Sequence, residues 1–375
     1  MTSESEWKFA YLVPHVAFRE PIENDFLALV PYSDQRFSDL RTAHEAVRVL
    51  AENMTDAFGQ SVSPSALLIH RDAPDSVDFY AVLSFRNIIA ISSLVQCMAL
   101  NISGKAGNYP LWSDYFDIYP FTADKSGKNL VAKSMALRSI EGTEEFSGQI
   151  APQLPNNRLL RWRYDKFILQ YLLAEWKAHF INTRSERRTR VLFRSLEVAA
   201  QASRMPATGT KVPTIHDVGV AIGLWVSSLE VLTHPTSGDA NRDTVLKCLG
   251  KVDWEDGNLN AKRYSLKSRG GNVIGKINYC QKLYTELYQT RNDFMHGNNV
   301  TKNFLYPFKK SDLPLLTSCA VLVYHAAIQG FAVHKKTKLN CGKSPVELLQ
   351  TGLEILLNSI NYEDAMKKIW ELSRK

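Results

Sequence analysis

Residues 279–299, Tyr-Cys-Gln-Lys-Leu-Tyr-Thr-Glu-Leu-Tyr-Gln-Thr-Arg-Asn-Asp-Phe-Met-His-Gly-Asn-Asn, constrain the fold more than any other stretch. Cys280, Leu283, Tyr284, Leu287, Phe294 and Met295 recur at steps of three and four, which predicts one buried helical stripe. Gly297 and the asparagines after it tolerate the left-handed conformation that closes a helix, so the helix should stop there. Its last turn then carries Arg291, Asn292, Asp293 and His296 to the margin between core and solvent.

Such a helix needs partners, and the chain supplies them. Leu160, Tyr164, Phe167, Tyr171, Ala174 and Ala178 predict a helix over 159–182, and Val191, Leu192, Leu196 and Ala199 a second over 185–203. Thr214 with Asp217 three residues on is the signature of a reciprocal N-cap, and Val218, Ile222, Trp225, Leu229 and Leu232 follow as a stripe. Residues 253–278 read as a long basic loop, 312–333 as a helix capped by Asp312, and 342–357 and 362–372 as terminal helices. From residue 158 onward the expectation is an all-α bundle with its core over 214–335.

The first 150 residues read differently. Apolar runs closed by prolines at 8–14 and 25–31 suit strands, as does 66–70, while 37–58 has a helical period. A small α/β or α+β domain is expected over 1–150, joined by a polar, proline-bearing linker near 153–157. Between 101 and 155, Trp112, Tyr115, Phe116, Tyr119 and Phe121 crowd an irregular stretch, where aromatics pin loops to cores.

Charge follows the same division. Residues 1–151 carry 12 Lys/Arg and 19 Asp/Glu, whereas 152–205 carry 11 and 4, and 206–375 carry 22 and 15. The two parts should therefore meet different partners. Arg184, Arg187, Arg188, Arg190 and Arg194 fall within eleven residues, which fits a polyanion-binding face, and Lys262, Arg263, Lys267 and Arg269 extend the basic set. A solvated charged face is the competing reading.

The remaining composition narrows the classes. The N-terminus Met1-Thr-Ser-Glu-Ser-Glu6 has neither the basic region nor the apolar run of a signal peptide. The longest apolar stretch, 88–100, contains Ser92, Ser93 and Gln96 and reads as a core helix, so no membrane partner is expected. Cys97, Cys248, Cys280, Cys319 and Cys341 form no CxxC pair, which argues for free thiols in a reducing cytoplasm and against a zinc cluster. Gly127-Lys128 lacks the rest of a phosphate-binding loop. No metal or cofactor is expected.

Chemically, an arginine and a histidine at a helix end suit phosphodiester cleavage. A free imidazole titrates near neutrality, so a histidine such as His296 is the residue type to take the proton from a 2′-hydroxyl or give one to the leaving 5′-oxygen. Arg291 can hold the phosphate and offset charge on its oxygens. Asn292, four residues before His296, can orient the imidazole or touch substrate. The structural alternative is equally concrete: Arg291 pairs with a carboxylate such as Glu230, and His296 merely caps the helix.

Trp-Val-Ser-Ser-Leu-Glu-Val-Leu at 225–232, a basic insert, and Leu-Tyr-Gln-Thr-Arg-Asn-Asp-Phe-Met-His-Gly at 287–297 together resemble the HEPN superfamily, especially its Apea-like branch. The hallmark of that family is arginine, a polar residue, three variable residues and histidine, here Arg291, Asn292, residues 293–295 and His296. Glu230 matches the acidic residue that the family tends to place in the preceding core helix. The resemblance implies a metal-independent endoribonuclease that acts as a dimer, with members serving as toxins or in phage defence. It also leaves room for a non-catalytic RNA-binding or protein-interaction module. It covers residues 214–335, extends at most to 158–370, and says nothing of 1–150, where an activating ligand or protein is the expected partner.

Overall fold

A computed structural model of the chain describes residues 6–56, 58–119, 121–123, 130–132, 148–149, 154–182, 186–206, 213–234, 241–268, 270–332 and 361–374. The expected helix at 342–357, together with Arg184, Arg269 and Cys341, lies outside them. The chain divides into two compact units, one of residues 1–86 with 113–162, the other of 87–112 with 163–375.

The first unit mixes strands and helices. Strands β1 (Trp7–Val13), β2 (Ile22–Glu23) and β3 (Leu27–Val30) precede helices α1 (Gln35–Ala43) and α2 (Glu45–Glu52), and β4 (Met54–Thr55) and β5 (Ser65–His70) follow. Strands β1, β5, β3 and β2 form one sheet in that order, every neighbouring pair antiparallel. Asp34 opens α1 by accepting the Arg36 amide, so the chain turns cleanly from β3 into the helical pair. Phe37 and Leu40 of α1 and Val47 and Leu50 of α2 share a core with Leu12, Val30, Ala66 and Leu68 of the sheet. Tyr115 and Phe116 are buried against the Trp162 ring at 5.8 and 5.7 Å, as expected of aromatics that anchor an irregular stretch. Within that stretch β6 (Phe121–Ala123) pairs with β7 (Leu130–Ala132), and β4 with β8 (Gly148–Gln149).

Helix α3 (Phe79–Ser103) contains the boundary between the units. Residues 88–100 are all buried, as a core helix should be. By length and composition α3 and the later helix Ile215–Leu232 are apolar enough to cross a bilayer, but 89% of the relevant window of α3 is buried inside the protein. Length and apolarity are what a core helix shares with a membrane span, and burial among protein atoms is what a core helix adds.

The second unit is mostly helical. It comprises α4 (Lys166–Trp176), α5 (Arg187–Ala202), α6 (Ile215–Leu232), α7 (Arg242–Leu249), the short α8 (Gly257–Asn260), α9 (Tyr279–Met295), α10 (Leu316–Ala332) and α11 (residues 361–374). Thr214 and Asp217 make the reciprocal cap of α6, and Asn278 with Gln281 does the same for α9. Helix α4 starts later than its apolar period suggests, because Asp165 caps it by accepting the Ile168 amide. Helix α10 starts at Leu316 rather than at an Asp312 cap, beyond Pro314, which disfavours helix in the residue before it. Helix α6 packs against α5, α9 and α10. Ser195 of α5 bridges to the Ser228 carbonyl of α6 and the Tyr324 hydroxyl of α10, each at 2.7 Å, so these three polar groups inside the bundle are joined.

The bundle is not wholly α. The region expected as a basic loop folds into an antiparallel hairpin of β9 (Tyr264–Lys267) and β10 (Val273–Ile277). Gly271 takes a positive φ of 81° at its turn, and the two short strands on either side pair with each other.

Candidate active-site cleft

Helix α9 buries Tyr279, Cys280, Gln281, Leu283, Tyr284, Leu287 and Thr290, so the stripe read from the sequence is the packed face. It does not run to the end: Phe294 is half-buried and Met295 is 70% exposed. Arg291 continues the stripe by its spacing from Tyr284 and Leu287, which is why an arginine is half-buried here. Five residues on, about 140° around the helix, His296 stands exposed as the C-cap. The closure after it is a Schellman motif. The Asn298 amide reaches the Asp293 carbonyl at 2.9 Å and the Gly297 amide the Phe294 carbonyl at 3.3 Å, with Gly297 at φ 69°.

The side chains of the motif divide the work. Arg291 Nη1 donates to Asn292 Oδ1 at 3.0 Å, so Asn292 holds the guanidinium rather than the imidazole. Asp293 accepts from Gln289 Nε2 at 3.1 Å and from Asn298 Nδ2 at 2.9 Å, which pins the helix end. His296 makes no side-chain hydrogen bond among the described residues. On α6, Glu230 is half-buried; burial raises its carboxyl above the usual range, and the positive charge of Arg291 opposes that rise. The two are coupled through space without an ion pair at contact distance among the described residues. Tyr284 feels the charge of both, and its buried hydroxyl has no hydrogen-bond partner among the described residues; burial, with Glu230 next, drives its pKa far up.

A cleft of about 670 Å³ opens along the outer side of α9. Its α9 wall is Lys282, Thr285, Glu286, Tyr288, Gln289 and Asn292; Asn241, Arg242 and Asp243 of α7 and residues 265–268 of the hairpin close the other sides. Thr285, Gln289 and Asn292 follow at steps of four and three, and His296 extends the row by another four at the exposed end. The lining is polar and modestly basic. Arg242 pairs with Asp243 at 3.6 Å and Lys282 with Glu286 at 2.6 Å, which leaves Lys267 as the lining cation without an ion pair among the described residues. Arg242 also donates to the Lys267 carbonyl at 3.2 Å, tying α7 to the hairpin.

The chain matches no family model, no curated protein and no solved structure. Among the described residues no cluster of three or more His, Cys, Asp or Glu is placed to hold a metal.

Of the residues singled out in the sequence, Arg291, Asn292, His296 and Glu230 gather around the end of α9, and Lys267 lines the adjoining cleft. Lys262 and Arg263 are exposed before the hairpin, and Arg263 donates to Asn258 at 3.2 Å. The arginines of α5 do not join them in one cavity. Arg190 and Arg194 are exposed one turn apart, while Arg187 and Arg188 are half-buried and line a second cavity. Sequence reasoning missed Arg242 and Lys282. Both belong to short-range ion pairs that look like ordinary helix-surface charges, and only the hairpin folding over α7 turns them into a wall.

Proposed function

We propose that this chain is a metal-independent endoribonuclease whose helical unit resembles a HEPN bundle, and that single-stranded RNA lies in the cleft along α9. The observation that carries this reading is the polar row of Thr285, Gln289 and Asn292, which leads along a cleft of about 670 Å³ toward His296. His296 removes the proton of a 2′-hydroxyl as its oxygen attacks the neighbouring phosphorus. The P–O5′ bond breaks, and the 5′-oxygen takes a proton as it leaves, giving a 2′,3′-cyclic phosphate. Arg291 offsets the charge on the non-bridging oxygens, with Glu230 and Asn292 positioning it. Lys267, Lys262, Arg263, Arg190 and Arg194 meet the RNA backbone outside the cleft.

The splay of about 140° between Arg291 and His296 favours a homodimer, in which a second copy brings its own pair to the same phosphate. Val220 and Met295, 66% and 70% exposed on α6 and at the end of α9, suit such a contact. A toxin or antiviral effector in the cytoplasm fits this chemistry, with the acidic first unit receiving an activating ligand or protein.

A second reading draws on the hydrogen bond from Arg291 to Asn292 and the coupling of Arg291 to Glu230. Both suit an arginine that is structural, in a non-catalytic RNA-binding or interaction module. Cleavage of single-stranded RNA in EDTA separates the two. His296→Ala and Arg291→Ala should each lose about 10²-fold or more in rate while keeping the helical circular dichroism. Wild-type cleavage by His296→Ala ends the catalytic assignment.

A further inference from the structure

The charges in the wall of the α9 cleft largely answer one another. Arg242 pairs with Asp243 at 3.6 Å and Lys282 with Glu286 at 2.6 Å, so two carboxylates sit among the lining cations. A phosphate gains little from a cation that already meets a fixed anion. The cleft offers an uncharged ligand more, because three carboxamides line it: Asn241 at the start of α7, and Gln289 and Asn292 on α9.

Each carboxamide has one end held by a partner that permits a single orientation. Asn241 Oδ1 accepts the Asp243 and Thr244 amides, at 3.0 and 3.1 Å, as the N-cap of α7. Asn292 Oδ1 accepts from Arg291 Nη1 at 3.0 Å. Gln289 Nε2 donates to the Asp293 carboxylate at 3.1 Å. A backbone N–H or a guanidinium can only donate and a carboxylate can only accept, so none of the three can flip without losing its bond. Nδ2 of Asn241, Nδ2 of Asn292 and Oε1 of Gln289 are left, with no further hydrogen-bond partner among the described residues. The wall thus presents two donors and one acceptor. Tyr288, half-buried on the same wall with the ring of buried Tyr284 at 6.1 Å, adds an aromatic surface on which a base can stack.

The pairing edges of cytosine and uracil each carry two acceptors and one donor, the complement of that set. Guanine carries one acceptor and two donors there, and adenine one of each. We infer, on the reading that RNA lies along α9, that the cleft selects a pyrimidine, read by Asn241, Gln289 and Asn292 and stacked on Tyr288. Asn292 stands one turn before His296, so the nucleotide it reads adjoins the scissile phosphate.

The test is fluorescence anisotropy of the full chain with 5′-labelled, 2′-fluoro octamers of uridine, cytidine and adenosine, which cannot be cleaved through a 2′-hydroxyl. Both pyrimidine octamers should bind about tenfold tighter than the adenosine octamer. Single-strand binders also favour flexible pyrimidine runs through stacking alone, so a variant decides. Asn241→Asp keeps the oxygen that caps α7 and removes only the Nδ2 donor. Its added charge weakens all three octamers alike, so the ratio of uridine to adenosine binding is the readout, and it should fall about fivefold, the worth of one hydrogen bond. Equal binding of all three octamers by the wild type, or a ratio that Asn241→Asp leaves unchanged, overturns the pyrimidine selection while the ribonuclease reading stands. No binding of any octamer overturns both.

Discussion

A Cβ placed on Gly219 of α6 would stand 2.5 Å from Cε1 of Phe294 on α9, so the phenyl ring lies directly on the glycine backbone. This contact sets how the last turn of α9, with Asn292 to His296, leaves the bundle. Gly219→Ala gains about 1 kcal/mol of helix propensity and loses about 1–3 kcal/mol to overpacking. Phe294 is only half-buried, so the ring can swing outward, and the net loss should be near 1 kcal/mol. Cleavage should suffer more than stability does, because the displaced ring drags the end of the helix with it. Gly223, one turn along α6, has nothing within 4 Å of its added Cβ. Gly223→Ala should be stabilising by about 0.5–1 kcal/mol and leave cleavage intact. Urea denaturation and RNA cleavage of the two variants give the comparison; equal behaviour would remove the role assigned to Phe294.

The raised carboxyl of Glu230 makes a pH-dependent prediction. Its native form keeps the proton to higher pH than the unfolded chain does, so the native state binds more protons between the two values. Stability from this group is therefore present at acid pH and falls as pH rises from the ordinary glutamate range through the native value. Glu230→Gln abolishes the fall. The variant should gain on the wild type as pH rises from about 4 to about 7, and thermal unfolding across that range measures it. Parallel curves would mean that Glu230 is not desolvated. Cleavage should still drop in the variant, since Arg291 loses the charge that opposes it.

Much of the helical unit was legible because buried stripes and caps are local features. Tyr279 to Leu287 repeat at helical spacing, and Thr214 with Asp217 closes its own first turn, so neither depends on distant chain. The hairpin was not legible. Tyr264 to Lys267 and Val273 to Ile277 are short and carry lysines, and their strand character comes from pairing with each other. Of the candidate site, the motif at 291–296 could be read, and so could its angular splay. The cleft could not, because Arg242 and Lys267 are 25 residues apart and meet only through the hydrogen bond that closes the hairpin onto α7. The five arginines at 184–194 read as one basic face; helical spacing and the ends of α6, α7 and α10 divide the four on α5 between open surface and cavity.

Among the glycines of the described residues, Gly330 of α10 leaves the least room for a side chain, against α7. An added Cβ would fall well inside van der Waals contact with the Cys248 carbonyl, a backbone atom that cannot swing aside. Gly330→Ala must separate the two helices, and the expected cost is about 3 kcal/mol, at the upper end for overpacking. Urea midpoints of Gly330→Ala and Gly223→Ala should move in opposite directions. If Gly330→Ala leaves the midpoint unchanged, α7 is not clamped by α10 at this point.

His325 of α10 and Asp165 ahead of α4 form the most deeply buried ion-pair geometry among the described residues, with Nε2 3.0 Å from Oδ2 and exposures of only 3% and 6% for the side chains. The other carboxylate oxygen of Asp165 accepts the Ile168 amide and so begins α4. The imidazole lies 4.0 Å, centroid to centroid, from the ring of Tyr362, whose hydroxyl donates to the Leu322 carbonyl. One carboxylate thus serves both α4 and α10, and through His325 it also supports α11. Asp165→Ala removes the cap and strands a buried imidazole, for which the loss should be about 3–5 kcal/mol. Asp165→Asn keeps an oxygen for the Ile168 amide and a polar group for His325. It should recover about 1 kcal/mol of that loss, the usual worth of an N-cap. Urea denaturation orders the three proteins. Asp165→Asn no more stable than Asp165→Ala would mean that charge on the carboxylate, rather than its capping hydrogen bond, holds α4 in place.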